Sequence, residues 1–160
     1  MSHTKKNLRA LKDSALSYGL SDTQEARFAR RALAAEQTGV THLIIKPARR
    51  EAFAHRHREA EEIYLVLAGS GRVKLDNEVV ELSELDAVRV GRGTTRQLEA
   101  GPDGLEVLIF GSTSRATWSK FRTSGTASRG FRLAETHRCA LTARRARRQL
   151  SRDLACRERS

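Results

Sequence analysis

Apolar and polar residues alternate through the middle of this 160-residue chain with the period of β-strands. From Gly39 onward short apolar or alternating runs recur: GVTHLIIK (39–46), AFAHRH (52–57), EIYLVLA (62–68), RVKL (72–75), EVVEL (78–82), DAVRV (86–90), RQLEA (96–100) and LEVLIF (105–110). Turn-forming residues separate them at Pro47, GSG (69–71), Asp76-Asn77, GRG (91–93) and GPDG (101–104). About eight short strands at this spacing predict an all-β sandwich or barrel, not alternating helices and strands. Asp76-Asn77 has the composition of a tight hairpin turn. Upstream, EARFARRAL (25–33) fits a short helix or a strand equally well, and residues 1–24 read as a polar, loosely held arm. After Gly111 the alternation stops, leaving a thin apolar face over 139–156 as the one helix candidate.

Charge sharpens that boundary. Residues 1–111 carry 17 Lys and Arg against 16 Asp and Glu, whereas residues 112–160 carry 13 against 3. The net charge of +11 therefore belongs almost wholly to the tail, and the body is neutral. Both cysteines, Cys139 and Cys156, also fall in the tail, so the body holds no disulfide framework or cysteine-based zinc motif. No run has the length or apolar character of a secretory leader or a membrane span, so a soluble cytoplasmic protein with no membrane partner is expected. An Arg-rich tail without stacking aromatics would bind nucleic acid only by charge, blind to sequence.

The candidate chemistry starts at HRHREAEE (55–62). On a strand, residues two apart share a face, so His55 and His57 present two imidazoles together. Glu62, opening the next strand, brings a carboxylate to the same place. Such a set suits iron, manganese, nickel or zinc. Histidines at a core edge beside a solvated carboxylate would give the same short pattern. Tyr64 and Val66 share the face of Glu62 and are expected to line the site or simply to pack. His42 is expected to be structural. No nucleophile elbow, phosphate-cradling glycine loop or dinucleotide fingerprint is present.

H-x-H, four residues, Glu, six residues, Gly (His55, His57, Glu62, Gly69) resembles the first motif of the cupin superfamily. LDAVRVGRGTTRQLEA (85–100) stands where the second motif is expected. EARFARRAL, EQTGV and EAGPDGLEVLIFG further resemble short stand-alone bacterial cupins. The resemblance covers roughly residues 38–111. It implies a single-domain double-stranded β-helix, a small antiparallel barrel over residues 25–111 with weakly ordered termini, its site inside the barrel, and a homodimer. Three departures matter: Leu85 stands where Gly is usual, Gly91 where Pro is usual, and Arg96 where the family places its third histidine. A guanidinium has no lone pair to donate and carries a fixed positive charge, so Arg96 cannot be a metal ligand.

Two readings of the body follow. In one, Arg96 pairs with Glu62 in place of a metal, and the barrel binds a small polar or anionic molecule with Arg96 and Tyr64 as contacts. In the other, Arg96 swings away and His55, His57 and Glu62 hold a divalent metal for isomerase, decarboxylase or dioxygenase chemistry. A third class is tail-mediated nucleic-acid binding. Residues 112–160 are expected to be disordered and have a competing origin. Back-translating RATWSKFRTSGTA (115–127) with freely chosen, mostly G- and C-ending codons and shifting the frame by two nucleotides yields GDVVEVPDFWDG. That acidic peptide is similar to the usual ending of short cupins, so the tail is also read as an out-of-frame extension.

Overall fold

The computed structural model describes residues 3–112 and 118–121. Eight strands form one antiparallel, hydrogen-bonded array: β1 (Gln24–Phe28), β2 (Thr38–Ile45), β3 (Ala54–His57), β4 (Glu62–Leu75), β5 (Glu78–Leu82), β6 (Ala87–Val90), β7 (Arg96–Ser112) and β8 (Trp118–Phe121). A single helical turn, α1 (Arg30–Leu33), links β1 to β2. EARFARRAL thus supplies both a strand and a helical turn, which ends at Ala34 in the left-handed region (φ 53°). The architecture is the double-stranded β-helix.

Register shows how the array becomes two facing halves. The first half of β4 pairs with β6 on one side and with residues 105–111 of β7 on the other; β7 there continues to β2 and then β1. The second half of β4 pairs with β5 and with residues 96–100 of β7, and that end of β7 meets β3 and then β8. Two long strands therefore belong to both halves and bend between them.

The GSG and GPDG stretches are not the breaks that their composition suggests, because β4 and β7 run through them. Register shifts between Val66 and Ala68 and between Gly69 and Gly71 mark the bend. A side chain at Gly69 (φ 79°) would collide with the carbonyl of Gly104, and one at Gly71 with the carbonyl of Glu99. Glycine here serves close backbone approach at a bulged corner and does not end the strand. Asp76-Asn77 is the tight β4–β5 turn, with Leu75 opposite Glu78.

The core fills the space between the halves. Ile45, Val66, Val73, Leu98 and Val107 are fully buried, with Leu43, Tyr64, Leu82, Val90 and Leu105 around them. Each fully buried aliphatic side chain contributes about 1.5–3 kcal/mol. His42 points to the other face of β2, is 2 % exposed and lies 2.6 Å from Glu106. Glu106 also accepts from Arg9 at 2.8 and 2.9 Å, and Asp13 accepts from the backbone N–H groups of Ala15 and Ala26. The polar N-terminal arm is thus fastened to the outside of the β1–β2–β7 sheet. The helix candidate at 139–156 lies outside the described residues. Among the described residues no helix is long and apolar enough to cross a membrane.

Candidate functional site

The strand pairing explains how residues distant in sequence converge. On β3, alternation puts His55 and His57 on one face, with ring centroids 5.3 Å apart and the planes at 78°. His55 stands directly opposite Arg96 in the register of β3 with β7. Glu62 and Tyr64 alternate on the first half of β4, across the interior from β3. The structure therefore brings together His55, His57, Glu62, Tyr64 and Arg96. Val66 continues the face of Glu62 and Tyr64 as core, fully buried.

Arg96 is the centre of the cluster and has no solvent exposure. Its Nη2 donates to Glu62 Oε2 at 2.5 Å, and its Nε lies 3.2 Å from the same oxygen. Nε also reaches the Tyr64 hydroxyl at 3.4 Å, and Nη1 donates to the Thr94 carbonyl at 2.9 Å. Tyr64 donates its hydroxyl to Glu62 Oε2 at 3.2 Å. The other Glu62 oxygen lies 3.1 Å from His57 Nε2. Both oxygens of Glu62 are thus engaged.

Electrostatics follow from this packing. Burial alone would raise the Glu62 carboxyl, but the His57 hydrogen bond and the Arg96 charge outweigh it and hold the pKa at about 2. Burial, then the Glu62 charge, pushes the Tyr64 hydroxyl well above its ordinary value. The Arg96 guanidinium is driven upward by Tyr64 and Glu62 against the opposing effect of burial. It stays charged.

Glu51 is the member that sequence reasoning missed. It sits behind the histidines, 7 % exposed, with Oε1 3.7 Å from His55 Nδ1 and Oε2 accepting from the Leu98 N–H at 3.2 Å. Burial raises its pKa from 4.5 to about 8, with Glu62 adding to the rise. Its position just before β3 carries no motif, so only the three-dimensional packing discloses it.

A carboxyl whose pKa is raised on folding binds its proton more tightly in the native state, so stability is greatest below about 4.5 and falls as pH rises toward about 8. Glu62 has the opposite sign: its contribution is present above 4.5 and is lost as pH falls through about 2. Between about pH 5 and about pH 8 the native chain should therefore lose roughly 2 kcal/mol more than Glu51→Gln does, allowing for relaxation around the buried group. Urea unfolding at the two pH values checks this; parallel losses in both proteins would refute it.

Residues 41–109 match the family model described as "Cupin domain". Over that segment the chain is similar to cupin domains. Solved structures share the fold at low identity. A cupin protein from Bacteroides fragilis is 18 % identical with a TM-score of 0.59, over 87 % of this chain and 98 % of that one. A cupin-superfamily sugar phosphate isomerase from Silicibacter pomeroyi is 16 % identical with a TM-score of 0.61, over 73 % of this chain and 81 % of that one. A candidate sugar phosphate isomerase from Acidithiobacillus ferrooxidans is 19 % identical with a TM-score of 0.54; the match covers 60 % of this chain and 64 % of that one. No curated protein matches the sequence.

Cupins commonly bind divalent metals, and in this chain the donor atoms of His55, His57 and Glu62 lie within 4.8 Å of one another. As arranged, the set does not suit a dication. The guanidinium holds one Glu62 oxygen, Oε2, while the other faces His57 Nε2, and its fixed charge would repel an ion beside it. Arg96, wholly buried, is the fixed positive charge facing Glu62 here.

Proposed function

We propose that the barrel binds a small polar or anionic molecule at a site built from His55, His57, Tyr64 and the Arg96–Glu62 ion pair. The observation that carries this reading is the fully buried Arg96, paired through Nε and Nη2 with Glu62. A second observation points to a ligand. His57 Nδ1 is buried and has no hydrogen-bond partner among the described residues. Buried polar atoms nearly always find a partner, protein or not. With Nε2 turned to the Glu62 carboxylate, Nδ1 accepts from a hydroxyl when the ring is neutral and donates to an anion when the ring is charged. That pair of options selects small hydroxylated or anionic molecules.

The second reading, a metal-dependent enzyme using His55, His57 and Glu62, rests on the proximity of the three donors. Protein purified without chelator or affinity-column metal separates the two. Far less than one ion per chain is expected, together with shifts of the His57 ring signals on titration with inorganic phosphate. Near-stoichiometric metal that disappears in His57→Ala would overturn the ion-pair reading and favour the enzyme.

A further inference from the structure

β3 carries both histidines, yet it is a four-residue strand with a sparse attachment to the rest of the barrel. On its β7 side it makes one register pair, His55 with Arg96, and its end is tied by the Gly93 N–H to the His57 carbonyl at 2.8 Å. On its other side every one of its residues is paired. Ala54 opposes Phe121, His55 opposes Lys120, Arg56 opposes Ser119 and His57 opposes Trp118. That partner, β8, comes from the segment that composition assigns to the tail.

We infer that residues 118–121 are a positioning strand, which holds β3 in the sheet and thereby sets His55 and His57 against Glu62 and Arg96. The physical reason is main-chain pairing. Without β8, β3 would be an edge strand of four residues, too short to be ordered by one register pair and one terminal bond. Its imidazoles would then lose their fixed distance to the ion pair across the barrel. Strand addition works through backbone groups, so β8 can serve in this way with little demand on its side chains. The core strand β7 pairs extensively with both β2 and β4, and these pairings do not depend on β8. The inference deepens the proposed ligand site and rests on it only for the consequence for binding.

Proline tests the strand, because it removes a backbone donor. In an antiparallel pair successive residues turn their N–H groups to opposite sides. Of Ser119→Pro and Lys120→Pro, made separately in the full chain, one should therefore disrupt the pairing more than the other. The disruptive variant should lower hydrogen-exchange protection of the β3 amides by about tenfold or more while leaving β2, β4 and β7 protected. It should also shift the His55 and His57 ring signals and weaken inorganic phosphate binding by about tenfold. Unchanged β3 protection in both variants would overturn the inference, as would lost protection with unmoved histidine signals. If the native chain binds no phosphate but β3 responds as described, the anion reading fails and the positioning role stands.

Discussion

Replacing Arg96 by methionine should destabilise the barrel by about 3 kcal/mol, at the lower end of the cost of breaking a buried ion pair. The substitution keeps an apolar stem of similar length in the core but leaves Glu62 facing Tyr64 and His57 without its main counter-charge. The Glu62 side chain is 15 % exposed, so water relieves part of the penalty. The decisive comparison is the double replacement Arg96→Met with Glu62→Gln. Removing the orphaned charge should recover most of the loss, because desolvated ions cost more when left alone than when both are absent. Urea unfolding of the four proteins closes the cycle, and strong non-additivity is the expected result. Additive losses would mean that Arg96 stabilises through packing and its bond to the Thr94 carbonyl, with Glu62 a bystander.

Much of this arrangement was legible in the chain, and the reasons differ from residue to residue. Period-two alternation puts His55 and His57 on one face whatever the rest of the fold does, because strand geometry alone dictates it. Pairing across the barrel is another matter. That Glu62 meets Arg96 depends on β4 and β7 each crossing a glycine corner, and Gly-rich composition reads as a loop when it stands alone. Gly69 is informative only with Gly104 in view: it lacks a Cβ because the Gly104 carbonyl is there. Glu51 was hidden for a related reason. A carboxylate beside a turn is usually solvated, and its burial comes from the Leu98 N–H and the His55 ring, which are remote from it in pattern if not in space. The arm fastened through Arg9 and Asp13 was similarly unreadable. A handful of specific hydrogen bonds hold it, with Ala15 the one buried apolar residue among its described residues, and hydrophobic periodicity does not report such bonds.

Arg96→His should convert the site into a metal centre. The substitution removes the fixed positive charge and the donors that occupy Glu62, and places an imidazole on β7 directly opposite His55. Three nitrogens and a carboxylate oxygen would then face one point, a donor set suited to a first-row divalent ion. The variant is expected to retain close to one ion per chain after purification, where the native chain retains far less. Added zinc at about a hundred times its dissociation constant should stabilise the variant by about 2.7 kcal/mol, or roughly 5–10 °C in Tm, and leave the native chain unmoved. The same ion should lose its effect when His57→Ala is combined with Arg96→His. A variant that folds but remains metal-free would show that removing the guanidinium is not enough. The obstacle would then lie in the buried Glu51 behind His55 or in the spacing that β8 imposes on β3, and Glu51→Gln in the Arg96→His background would distinguish those two causes.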